Sequence, residues 1–95
     1  MSHEKLQKAL SAVPFLGSLT VQVEDAAPGS VTLTLGDGQA IRDHGSHIHS
    51  GALFSLGETA AGVALSTHPK LAGFVQFQHT SGIRYLRPCV SPPLA

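Results

Sequence analysis

An α+β domain, with an antiparallel sheet curled around one long central helix, is the fold class this sequence predicts. Two observations lead there. The segment 50–67 is apolar around most of its circumference, with only a narrow stripe of Ser55, Glu58, Thr59, Gly62 and Ser66 that is polar or small. A helix of that kind has to be wrapped by other elements. The segments before and after it alternate apolar and polar residues, the signature of half-buried strands.

Taken in order, residues 1–14 read as a short amphipathic helix, with Leu6, Ala9, Leu10 and Val13 at helical spacing and Pro14 ending it. From residue 18 to 36 the chain reads as a hairpin. Leu19, Val21 and Val23 alternate with Thr20, Gln22 and Glu24, Ala26-Ala27-Pro28-Gly29 makes a turn, and Val31, Leu33 and Leu35 alternate with Thr32 and Thr34. A polar loop, Arg42 to His47, precedes the helix, which Ser50 can cap through its hydroxyl. Pro69 disfavours helical geometry at His68, so the helix should end near Thr67. Residues 74–88 are expected to be strand, with Phe74, Gln76, Gln78 and Thr80 on one face and Ile83 to Leu86 extended before Pro88. The tail from Ser91 fits neither helix nor strand, and no repeat or linker divides the 95 residues, which read as a single domain.

Composition narrows the function classes. Hydrophobic residues make up 42% and charged residues 13%, against roughly 25% charge in an average soluble domain. Too few charges remain to cover a monomer, so a homo-oligomer, dimer or tetramer, is expected. Six basic residues balance six acidic ones and are scattered, which leaves no stripe to meet a phosphate backbone and argues against nucleic acid as a partner. The apolar run 52–65 is interrupted and shorter than the ~20 residues of a membrane span. A lone cysteine, Cys89, suits a reducing compartment. Together these predict a cytoplasmic protein that does not engage membranes.

The most informative stretch is His49-Ser50-Gly51-Ala52-Leu53-Phe54-Ser55-Leu56-Gly57-Glu58-Thr59-Ala60-Ala61-Gly62. A carboxylate is expensive on an apolar helix unless a partner or a task holds it there, so Glu58 is the residue to explain. With Tyr85-Leu86-Arg87-Pro88, this stretch resembles the hotdog-fold thioesterases of the phenylacetate-pathway type and their DUF4442-like relatives, over residues 15–90. The resemblance implies a hotdog fold and hydrolysis of acyl-CoA-type thioesters by a homodimer or homotetramer, with no cofactor. It places His49 on the family histidine, Gly51 on the glycine whose amide faces the substrate carbonyl, and Glu58 on the catalytic acid. Asp43 stands where the family usually has asparagine and Ser46 where it usually has glycine. Ser50, Phe54, Ser55, Thr59 and Arg87 are the implied substrate-binding residues. The chain also ends where members of the family continue into further strands, so the resemblance implies a sheet left incomplete or completed by another chain.

The chemistry asked of these residues is simple. A helix start offers unpaired N–H groups and a partial positive charge, and a residue without a side chain lets a carbonyl approach them closely, as an oxyanion hole requires. Glu58 would serve as general base toward water or as nucleophile. Gly51 and Glu58 are about two turns apart, roughly 10 Å at 1.5 Å per residue, so a two-fold dimer is needed to bring Glu58 of one chain beside the helix start of the other. Plainer readings stand alongside. Glu58 can be a structural carboxylate, His49 a capping histidine, Gly51 and Gly57 aids to close packing, Ser55 and Thr59 solvated or back-bonded, and Cys89 inert. Two other functions remain open: a non-catalytic acyl-CoA-binding or assembly module, and a metal site at Asp43, His44, His47 and His49, whose His-x-His opening resembles that of cupins. No glutamate follows at close spacing and a helix comes next, so no metal is expected.

Overall fold

The computed structural model describes residues 3–36, 38, 41–74, 77–78 and 80–90. Two helices, α1 (His3–Ala12) and α2 (Pro14–Ser18), precede two strands, β1 (Val21–Ala27) and β2 (Ser30–Leu35), and the long helix α3 (Ser50–Thr67), which ends in a 3₁₀ turn at Pro69–Leu71. The expected N-terminal helix is thus two helices, because Pro14 opens a new one in place of merely ending the first.

β1 and β2 form an antiparallel pair. Val21 faces Leu35 and Val23 faces Leu33, and all four are buried. The register slips between Val23 and Asp25, with Glu24 as the extra residue of a bulge. That single insertion turns Ala26 inward opposite Val31, both half-buried, where unbroken alternation would have pointed Asp25 into the core. The turn is Pro28-Gly29, with Gly29 at φ +76°, the residue order of a type II turn. Its amide donates to Thr67 Oγ1 at 3.1 Å, which ties the hairpin tip to the last turn of α3.

One core joins these elements. Leu6 and Leu10 of α1 pack on β1, Ala52 and Leu56 of α3 pack on β2, and Ile41 and Ile48 close the layer from the loop before α3. The outer edge of β1 is sealed by side chains of α1. Gln7 donates to Val21 O at 2.9 Å and accepts from Val23 N at 2.7 Å, and His3 bonds to Val23 O. An amide side chain here makes the two hydrogen bonds a neighbouring strand would have made, one of the ways proteins blunt an open edge.

The architecture is a small α+β domain with a two-stranded antiparallel sheet against a long helix. The strand expected over 74–88 is not found among its described residues: 77–78 and 80–88 form neither strand nor helix. The expected wrapping is accordingly one-sided, since only Ala52 and Leu56 of α3 are fully buried. Positions 75, 76 and 79 of that expected strand, and the tail from Ser91, lie outside the described residues.

Candidate functional site

The start of α3 is built by a loop that closes on itself. Ile41 and Ile48, both buried, anchor its ends, and His49 N donates to Ile41 O at 2.7 Å. Between them Asp43 organises the turn: its Oδ1 accepts from Gly45 N at 2.8 Å and from His47 N at 3.1 Å. These bonds favour the ionised form, so the Asp43 carboxyl titrates below its ordinary 3.8, chiefly because of the Gly45 amide, with His47 and His44 adding positive charge nearby. Ser46 is held at φ +63°, a conformation that suits glycine far better than serine.

α3 is capped by His49, not by Ser50. The His49 Nδ1 accepts the Gly51 N–H at 2.9 Å, so the helix proper begins one residue beyond the cap and the Ser50 hydroxyl is not the capping group. The amide assigned to an oxyanion hole is therefore already bonded within the chain. Because Nδ1 accepts, a neutral His49 carries its proton on Nε2.

From the other side the segment 85–90 crosses the helix start. The Tyr85 hydroxyl donates to Ser50 O at 2.9 Å, Ile48 N donates to Cys89 O at 2.7 Å, and Arg42 Nη1 donates to Val90 O at 2.8 Å. Between loop and segment lies a cavity of about 510 Å³, on whose wall stand Asp43, His49, Ser50, Tyr85, Arg87 and Cys89. Four residues singled out in the sequence, Asp43, His49, Ser50 and Arg87, are thus brought together by contacts 35 to 48 positions apart along the chain.

Glu58 is elsewhere. It is exposed and borders two further cavities, of about 600 and 450 Å³. The larger is walled by apolar residues of α1, α2 and α3 with Thr59 and Phe77, the smaller by Phe54, Ala61 and Ile83. Gln78 borders both, and its amide donates to the Glu58 backbone carbonyl at 2.8 Å. Among the described residues nothing bonds to the Glu58 carboxylate itself. Ser55 is half-buried and lines none of these three cavities. One chain therefore separates the candidate acid, with Phe54 and Thr59, from the helix start that carries His49 and Gly51.

Tyr85 and Gln78 escaped the reading of the sequence as site residues. Each acts through a backbone carbonyl of α3, a kind of contact that no spacing in the sequence signals. As for metal, no group of three His, Cys, Asp or Glu side chains among the described residues is placed to hold an ion.

Residues 3–92 match the family described as Domain of unknown function (DUF4442). The chain belongs to that family. The match takes in the loop, all of α3 and the segment that crosses it, so the cavity at the helix start is part of the family domain. No curated protein and no solved structure gives a significant match. No described helix is long and apolar enough to cross a membrane.

Proposed function

We propose that this domain hydrolyses acyl-CoA-type thioesters as a homo-oligomer with a hotdog arrangement of sheet around helix. The carbonyl is held at the start of α3, and Glu58 of a second chain activates the attacking water. The observation that carries the reading is the pairing of a cavity at the N-terminus of an apolar helix with a carboxylate on that same helix that has no partner among the described residues. Water adds to the thioester carbon while Glu58 takes its proton. Negative charge then develops on the carbonyl oxygen, where the helix start and its amides favour it. On collapse the carbon–sulfur bond breaks, and the proton returns from Glu58 to the departing thiol. For the oxyanion to use the Gly51 amide, the His49 ring must swing off it. That exchange is cheap at an exposed cap, since the ring lies at the surface.

The test is thiol release from a panel of acyl-CoA esters by the wild type and Glu58→Gln. Turnover should fall by about 10²–10⁴, the usual yield of a general base, with helix content and oligomeric state unchanged. Equal turnover in the two proteins would remove Glu58 from the reaction.

The occupied Gly51 amide favours a second reading, a module that binds acyl-CoA without cleaving it. In that case binding saturates and no thiol appears with any acyl chain.

A further inference from the structure

The larger of the two cavities beside Glu58 lies apart from the helix start, and its walls describe what fits it. About 600 Å³ in volume, it lies between α3 and the N-terminal helices, with Leu6, Val13, Leu16, Val63, Leu65 and Phe77 around it. A cavity of ~300–1,000 Å³ with an apolar lining and few polar groups is the format of a small-molecule site. Among the described residues no Lys, Arg or His borders it, and Glu58 is its one charged group. A phosphate or a free carboxylate would meet no counter-charge there, only a like charge. The occupant is therefore neutral and apolar along its length. On the other side of Glu58, the smaller cavity offers only Phe54 and Ile83 as large apolar side chains, beside Gln78 and Ser81.

Glu58, Gly62 and Ser66 all border the larger cavity. Residues four apart lie in one row along a helix, so the cavity follows α3 for about 12 Å at 1.5 Å per residue. In the middle of that row Gly62 leaves the floor bare, since a Cβ there would meet nothing within 4 Å. Its φ is not positive either. Neither crowding nor backbone conformation asks for glycine, and inside a helix glycine is less favourable than alanine. What the missing side chain secures is an uninterrupted floor from Glu58 to Ser66.

We propose, resting on the thioester reading, that this cavity receives a straight aliphatic acyl chain and that Gly62 sets how long a chain is accepted. In that reaction the carbonyl carbon stands at Glu58. The chain therefore enters the cavity of the subunit that supplies the acid and runs along α3 towards Leu65 and Ser66. A C–C bond of ~1.5 Å, foreshortened by its zigzag, advances about 1.3 Å, so a length of about 12 Å holds about eight to ten carbons. Gly62 lies one turn from Glu58, about 6 Å, level with about the fourth or fifth carbon. An aromatic acyl group, broad and short, would leave the Ser66 end empty.

The test is kcat/KM for straight-chain acyl-CoA esters from acetyl to tetradecanoyl, with the full chain as wild type, Gly62→Leu and Gly57→Leu. The second variant puts the same side chain beside the smaller cavity. Each methylene that enters should raise the wild-type value by about two- to fourfold, the lower figure for a chain with one side open. The rise should level off near ten carbons. In Gly62→Leu it should stop near butyryl, so the octanoyl-to-butyryl ratio falls at least about tenfold, while Gly57→Leu keeps the wild-type ratio. Both leucines would stand in open space on α3, where leucine is the better helix former, so the melting temperature should not fall. If no form cleaves any ester, the proposed function fails. The cavity is then read by calorimetry with S-butyl- and S-octyl-CoA thioethers, which cannot be hydrolysed. Wild type and Gly57→Leu should bind the octyl compound more tightly than the butyl one, and Gly62→Leu should not. The same chain-length profile in wild type and Gly62→Leu overturns the inference, as does a wild type indifferent to chain length. So does a Gly57→Leu that shifts the ratio as much as Gly62→Leu.

Discussion

Mixing two inactive variants, Glu58→Gln and Gly51→Val, should restore hydrolysis if each reacting centre is built from two chains. The structure makes both changes clean. The Glu58 carboxylate is exposed and without a partner among the described residues, so an isosteric amide belongs with surface substitutions, usually within about 0.5 kcal/mol. A side chain at position 51 begins 3.1 Å from Nδ1 and 3.3 Å from Cε1 of His49, the outer atoms of an exposed ring that can give way. Each parent alone should be nearly silent, down about 10²–10⁴ for the lost base and about 10²–10³ for a blocked oxyanion donor.

Random reassortment of two such chains gives about half mixed dimers, each with two sites related by symmetry. One site of a mixed dimer collects both lesions. The other pairs an intact Glu58 with an intact Gly51. Activity should therefore recover to about a quarter of wild type, far above either parent. The assay is thiol release after the variants are unfolded together and refolded at equal concentrations, compared with each refolded alone. If acid and helix start served one substrate within a single chain, every chain in the mixture would carry a lesion and nothing would recover. A mixture no more active than the mean of its parents refutes the composite site.

Two further outcomes concern the loop that builds the cavity. Ser46→Gly should stabilise the protein: the left-handed conformation at φ +63° costs a residue other than glycine about 1–2 kcal/mol, and the added freedom of glycine in the unfolded chain returns about 0.4–1. The net of about 0.5–1 kcal/mol corresponds to a rise of about 2–8 °C in a calorimetric melting temperature for a domain of this size, and a lower melting temperature would show that the loop does not hold this angle. Asp43→Ala should destabilise at neutral pH but not in acid. The carboxyl titrates lower in the folded chain than its ordinary 3.8, so its contribution is complete above that value and is lost as pH falls through the folded one. Urea midpoints for wild type and variant should converge below about pH 4, and a gap that ignores pH would remove the ionised Asp43 from the loop's stability.

How far the sequence speaks depends on whether a signal is local. α3 runs from Ser50 to Thr67 as read from its composition and from Pro69, because an apolar run and a proline stop act on their own few residues. The hairpin is legible for the same reason. The left-handed backbone at Ser46 was not read from the sequence, because a serine there carries no local sign of positive φ. The strand expected over 74–88 is not found among its described residues: alternation states a preference, while a strand needs an edge to bond to, and the outer edge of β1 is taken by Gln7. Of the two caps the sequence offers, the plainer reading of His49 holds and the Ser50 hydroxyl does not cap, because an imidazole nitrogen can accept the Gly51 amide as well as a serine hydroxyl can. The cavity was out of reach altogether, because Ile48 and Cys89 meet through a single backbone bond across forty residues.

The placement of Glu58 is where stability and chemistry meet. A helix apolar on nearly every side can be covered by its own sheet or by a neighbour, and here its own two strands fully bury only Ala52 and Leu56. Covering the rest with a second chain would ordinarily strand a lone carboxylate, and an unpaired buried charge costs several kcal/mol. Glu58 avoids this because it borders two cavities, not a packed face. Residues such as Phe77 and Ile83 can go under a partner while the acid stays in the cavities they help line, which are large enough for water. Under the proposed reaction, the same space that makes the acid tolerable in an interface would supply it with the water that hydrolysis consumes. A structural carboxylate would need a donor in that space. Among the described residues Thr59, Ser66, Gln78 and Ser81 border that space, yet none bonds to the carboxylate, and the Gln78 amide is turned to the Glu58 backbone.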